Sequence, residues 1–165
     1  MSRPPLVLEA AGEDDLEPLV ELEQRCHSHP WSARNFRDEL GDAARGRLIV
    51  LRAPFDPADR GRGIVAYCAY QVVAGEMHLL NLAVAPDLRR EGLGGILLRL
   101  AMEQGARRGA ERVYLEVRRS NRAAQGLYER FGFVTTSVRR DYYADPQEDA
   151  LLLARSTGRP GETTP

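Results

Sequence analysis

Residues 76–109 read EMHLLNLAVAPDLRREGLGGILLRLAMEQGARRG. Glu76 to Val84 is a strand-like run, and APDLRREGLGG is a turn. From Leu93 onward, Leu93, Ile96, Leu97, Leu100 and Ala101 recur at helical spacing. A strand that passes through glycines into a helix offers an anion two things. Glycine lets backbone N–H groups approach closely, and a helix N-terminus carries unpaired donors and positive potential. Arg89 and Arg90 add charge, so the loop suits a phosphate or pyrophosphate. The plainer reading is a glycine-rich turn capping a core helix, and the glycines alone leave both open. They do bear on the type of nucleotide site. A dinucleotide fingerprint wants glycine at position 97, which is Leu97. A Walker loop wants Gly-Lys, and the chain has no lysine: all 23 of its basic residues are arginine.

That absence also excludes Schiff-base and general-base lysines. The net charge of -1 gives no global basic field for nucleic acid or an anionic membrane. A length of 165 residues suits one domain with a real core, and 43% hydrophobic with 28% charged residues is ordinary for a soluble protein. Two cysteines, Cys26 and Cys68, make no disulfide framework, so a reducing cytoplasm is expected. MSRPPLVLEA has no long apolar stretch, so no signal peptide is expected, and no run approaches a membrane span.

On the N-terminal side, Leu6 to Leu8 reads as a strand and GEDDLEPLVELEQRC as a helix. Asp14 is its candidate cap, and Leu16, Leu19, Val20 and Glu23 share one mostly apolar face. Ser32 caps a short helix, ARNFRDEL, that ends at Gly41. Gly46 to Arg52 and Gly63 to Val73 are strands on either side of a Pro- and Gly-dense loop. On the C-terminal side, Arg112 to Arg118 alternates: Val113, Leu115 and Val117 face one way, Tyr114, Glu116 and Arg118 the other. SNRAAQGLYERFGF is a helix capped by Ser120 or Asn121 and ended by Gly132. FVTTSVRRDYY and EDALLLAR form a closing strand pair, and STGRPGETTP is a flexible tail. Strands and helices are mixed, with α/β units in the second half.

Three groups of residues carry chemistry. Glu116, on the polar side of an apolar strand, reads by itself as a solvated edge residue or an ion-pair partner of Arg118. Tyr128 reads by itself as a core aromatic with a hydrogen-bonded hydroxyl. Cys26-His27-Ser28-His29 looks like a set of metal ligands but lacks a convincing fourth partner, so no metal is expected.

The run NLAVAPDLRREGLGG resembles the acetyl-CoA-binding segment of the GCN5-related N-acetyltransferases, with signature Arg/Gln-x-x-Gly-x-Gly/Ala. Arg89, Gly92 and Gly94 fill it. The resemblance extends through EQRCHSHPWS, LEVRRSNRAAQGLYERFGF, RRDYY and EDALLL, and narrows to the bacterial RimI-type ribosomal-protein alanine N-acetyltransferases. It implies an α/β fold, with a twisted mixed sheet, a central splay and helices on both faces, in a single domain over 1–155 followed by a tail at 156–165. It implies acetyl-CoA as co-substrate, held by Leu82, Ala83 and Val84, by the loop Arg89, Arg90, Glu91, Gly92, Leu93, Gly94 and Gly95, and by Asn121, which also reads as a plain helix cap. It makes Glu116 the general base and Tyr128 the general acid. It lines a peptide cleft with Trp31 on one side and with Arg140 and Tyr142 on the other.

The reaction so implied is direct acetylation of an N-terminal alanine, that of the eighteenth small-subunit ribosomal protein, by a cytoplasmic enzyme favoured as a monomer, without nucleic acid or membrane. Broader peptide, lysine or small-molecule amine acetylation, and a non-catalytic acyl-CoA-binding regulator, are the alternatives. Two departures from the family pattern bear on acceptor range: Gly95, where a basic residue or alanine is frequent, and a longer, more charged loop from Pro54 to Gly63.

Overall fold

The alternation and helical spacings above are realised in a computed structural model that describes residues 5–42, 46–54 and 63–158. Most of the Pro54–Gly63 loop and the end of the tail therefore lie outside the described residues. In chain order come β1 (Val7–Ala10), α1 (Leu16–Cys26), α2 (Ala33–Gly41), β2 (Gly46–Arg52), β3 (Ile64–Val73), β4 (Glu76–Val84), α3 (Leu93–Arg107), β5 (Arg112–Arg118), α4 (Arg122–Arg130), β6 (Val134–Ala144) and β7 (Gln147–Ser156). The described residues form a mixed α/β fold with seven strands and four helices.

Two compact units form. The first holds the described residues up to Tyr70 together with Asn81–Ala101; the second holds Gln71–Leu80 and the described residues from Met102 onward. In the first unit the strand order is β1-β2-β3-β4. β1 pairs antiparallel with β2, Leu8 opposite Leu51. Its core joins Leu19 and Leu22 of α1 and Phe36 of α2 to Leu48, Val50, Ile64 and Tyr67 of the strands. Leu22 thus belongs to the buried face that Leu16, Leu19, Val20 and Glu23 outline.

In the second unit the order is β4-β5-β7-β6. β4 and β5 pair in parallel over Glu76–His78 and Arg112–Tyr114, the first three residues of each strand. β5 and β7 pair antiparallel along their full overlap, which sets Glu116 opposite Leu152. Val113, Leu115 and Val117 are buried while Glu116 is not, as alternation requires. Gly105 lies against Met77 so closely that a Cβ there would stand 2.5 Å from the sulfur.

The structure corrects three local expectations. Asp14 caps nothing: a 3-10 turn over Glu13–Asp15 precedes α1, and the Gly12 N–H donates to Asp15 Oδ2 at 2.8 Å. In a run of three acidic residues the carboxylate that takes the Gly12 N–H is the one that also meets Arg52, 2.6 Å away. Helix α3 begins at Leu93, so Gly94 and Gly95 belong to its first turn. On that helix Ile96 is 42% exposed while Leu98 is buried. The apolar run Ile96-Leu97-Leu98 has no polar residue to phase it, so spacing picked the wrong neighbour.

Candidate active site

In the first unit, β4 ends at Val84 and the chain turns through a 3-10 segment, Pro86–Leu88. Arg89 braces this turn. Its Nε donates to the Val84 carbonyl at 3.3 Å and its Nη2 to the Cys26 carbonyl at 3.5 Å. The Cys26 thiol donates to the same Val84 oxygen at 3.3 Å. Burial raises the pKa of Cys26, and the neighbouring Arg89 opposes the rise. Arg90 and Gly92 both have positive φ, +64° and +82°, and a Cβ on Gly92 would meet nothing within 4 Å. The first hydrogen bond of α3 runs from the Ile96 N–H to the Gly92 carbonyl at 3.0 Å. The N–H groups of Gly92 to Gly95 therefore have no acceptor inside the helix. Leu93 is buried and anchors the turn, while Arg90, Glu91 and Gly92 are exposed. The open space at Gly92 and the run of unpaired donors fit a pyrophosphate.

The wall that precedes this loop is held by a residue whose part spacing did not disclose. Glu23, 1% exposed, accepts from the Trp31 backbone N–H at 3.0 Å, from Asn81 Nδ2 at 3.0 Å and from the Tyr67 hydroxyl. His27 Nε2 stands 3.7 Å from it. Its carboxylate so ties the loop after α1 to β3 and to β4 just before Leu82. Trp31 packs edge-on against Phe36 at 5.3 Å, and Phe36 against Tyr67 at 5.5 Å. The one sign in the sequence was an acid on an otherwise apolar helix face.

In the second unit, the Glu116 side chain is 34% exposed and pairs with Arg139, whose Nη1 lies 3.2 Å from Oε1. The expected ion-pair partner, Arg118, is engaged elsewhere. It lies 3.4 Å from Glu148 and stacks over Tyr143 at 4.0 Å. The Glu116 carboxylate stands beside the Tyr142 hydroxyl and raises its pKa; the Arg139 charge opposes the rise. Burial raises that of Tyr143, and the Glu116 charge adds to it. A register shift between Arg139 and Tyr143, with Asp141 at φ +52°, re-aims this stretch of β6. Arg140 is exposed there. Asn121 caps α4, accepting from the Ala124 N–H at 3.1 Å. Tyr128 is 8% exposed and packs edge-on against Phe133 at 5.6 Å.

So the structure pairs Glu116 with Arg139 beside Tyr142, sets Tyr128 and Asn121 on α4 and its cap in the same unit, and gathers the glycine loop, Leu82–Val84 and Trp31 in the other. Among the described residues, no group of three or more His, Cys, Asp or Glu side chains is arranged to hold a metal ion.

Residues 16–133 match the acetyltransferase (GNAT) family. The chain belongs to that family. Among GNAT relatives, the ribosomal protein bS18-alanine N-acetyltransferase of Escherichia coli K12 is 39% identical over 142 residues, 85% of this chain and 90% of that one. The crystal structure of the ribosomal-protein-S18-alanine N-acetyltransferase from Escherichia coli superposes with a TM-score of 0.81 at 35% identity, covering 97% of this chain and 99% of the other. Arabidopsis thaliana NAA60, solved in complex with acetyl-CoA, shares the GNAT fold at a TM-score of 0.83 and 15% identity, over 92% of this chain and 98% of that one.

Proposed function

We propose that this chain is an acetyl-CoA-dependent N-α-acetyltransferase whose acceptor is the N-terminal alanine of ribosomal protein bS18. The observation that carries the proposal is the likeness to the Escherichia coli enzyme of that name, which runs through 85% of this chain and 90% of that one. We take residues 1–155 as one catalytic domain that works in the cytoplasm as a monomer and meets its substrate as a free peptide end. No helix among the described residues is long and apolar enough to cross a membrane.

In this reading the pyrophosphate of acetyl-CoA rests on the N–H groups at the start of α3, with Arg90 beside them. Leu82 to Val84 offer backbone to the amide-rich pantetheine arm as a neighbouring strand would. Asn121 adds a cofactor contact from the cap of α4. Trp31, Arg140 and Tyr142 face the acceptor peptide.

Glu116 takes the proton that the attacking nitrogen loses as it bonds to the acetyl carbon. Tyr128 gives its hydroxyl proton to the sulfur as the carbon–sulfur bond breaks. Amine and thioester become amide and thiol, and no acetyl-enzyme is needed. An α-amine suits a carboxylate base. With a pKa of about 7.8, about one α-amine in seven is neutral at pH 7, against about one lysine in 2500.

The test is Glu116→Gln, assayed with a peptide of the bS18 N-terminus. Turnover falls by about a hundredfold or more while acetyl-CoA affinity stays within about twofold. Undiminished turnover would remove Glu116 from the base role. A peptide library varied at its first residue, read by mass spectrometry, then reports whether alanine is preferred over other N-terminal residues and over lysine side chains or polyamines.

A further inference from the structure

Glu116 is already occupied by a cation. Arg139 Nη1 lies 3.2 Å from one carboxylate oxygen, and the guanidinium sits over the Tyr142 ring, 5.4 Å from its centroid. The Tyr142 hydroxyl stands beside the same carboxylate. A carboxylate, a phenol and an aromatic face converge on one positive group, which is the chemistry that recognises an ammonium ion. The acceptor must bring its own amine to this carboxylate if Glu116 is the base, and most α-amines arrive as ammonium at pH 7.

We propose that Arg139 is an internal competitor for the acceptor. It holds the place of the N-terminal ammonium on Glu116 and is displaced when the peptide binds. This rests on the reading of Glu116 as the base that meets the amine.

Three features favour displacement over permanent pairing. Arg139 is 53% exposed, so its guanidinium can swing into water with little desolvation to undo. Its partner Tyr142 is also exposed, so the aromatic face stays available to the incoming cation. The other nearby cation, Arg118, is held by Glu148 and the Tyr143 ring, and so does not compete. A competitor that fills a site most of the time lowers apparent acceptor affinity by the fraction of sites left open. An ion pair this exposed is worth at most about a factor of five in an equilibrium, which bounds the effect.

The experiment compares the wild type with Arg139→Met and Arg139→Lys in the full chain. It uses calorimetric binding of an alanine-initiated peptide in the presence of CoA, together with steady-state acetylation. Arg139→Met is expected to tighten peptide Kd and lower peptide KM by about two- to fivefold, with kcat within about twofold and acetyl-CoA KM unchanged. Arg139→Lys keeps a cation and stays near wild type. The same peptide with its N-terminus already acetylated has no ammonium, and should bind wild type and Arg139→Met alike. A peptide Kd that rises or does not move in Arg139→Met overturns the proposal, as does an equal gain for the acetylated peptide. Because binding needs no turnover, this result is independent of the Glu116→Gln assay. If Glu116→Gln keeps full turnover, the base reading fails on its own evidence.

Discussion

Glu23 is a charged residue in the least hospitable place the first unit offers. Three donors meet its two oxygens, from positions 31, 67 and 81, which lie 8, 44 and 58 residues away along the chain. Each is a buried or half-buried polar group that would lose its partner if the carboxylate went, at about 1–3 kcal/mol apiece. Glu23→Ala is therefore expected to lower unfolding stability by about 3 kcal/mol or more. Glu23→Gln, which can still accept from Trp31 and Asn81, should cost about 1 kcal/mol. Urea unfolding at pH 7 measures both, and a loss below about 1 kcal/mol for the alanine variant would refute the hub.

At this scale the sequence was legible in kind and blind in partner. Glu116 stood out because it broke an apolar strand. Whether Arg118 or Arg139 pairs with it depended on how β6 folds back along β7, with a register shift that no spacing announces. Tyr128 was read both as a core aromatic and as the acid. Its burial against Phe133 fits the first, and the second is the proposal that the family likeness supports.

Among the elements, β2, β4 and β5 match the strand limits read from the sequence to the residue, because their apolar runs are bounded by glycine, proline or charge. α2 begins where Ser32 said it would, with the hydroxyl accepting from the Asn35 N–H. Misreadings fell where neighbouring residues were alike, in Glu13-Asp14-Asp15 and in Ile96-Leu97-Leu98. The glycine loop was legible as a motif, but its geometry was not. Arg89, read as a phosphate ligand, donates to two main-chain carbonyls and fastens the end of β4 to the end of α1. Gly92 holds φ +82° with empty space around its missing Cβ, so a substitution there is opposed by backbone strain and not by collision. Gly92→Ala should cost about 1–2 kcal/mol if the loop keeps its shape. The expected readout is a weaker acetyl-CoA Kd, by about tenfold, with the peptide Kd nearly unchanged. Equal weakening of both would argue against a cofactor-specific loop.

For the molecule as a whole, stability should depend on pH through the turn before α1. Burial pushes the Asp15 carboxyl up, but hydrogen bonds from Arg52 and the Gly12 N–H, with the Arg52 charge, outweigh it. The net position is below the ordinary 3.8. A carboxyl depressed in the folded state stabilises it above the unfolded value and loses that contribution as pH falls through the folded one. Arg52 also holds Glu9 at 2.6 Å, so it clamps β1 and the turn to β2. Arg52→Met should therefore lose about 2 kcal/mol at pH 7. Its stability curve and that of the wild type should converge as pH drops from above about 3.8 through the lower folded value. Parallel curves over that window would show that the guanidinium contributes packing and not charge.

The two thiols sit in very different surroundings. Cys68 is fully buried, and burial raises its pKa far above the usual thiol range. Cys26 is part-exposed and points its sulfur at the carbonyl that closes β4. An alkylating reagent therefore finds one addressable position in the native chain, at the end of α1 and against the strand end proposed to carry the pantetheine arm. With no lysine to take up amine-directed labels, the unaltered protein already carries a single-site reporter there. A fluorophore or a mass tag can follow how that strand end responds to each substrate without any engineered residue.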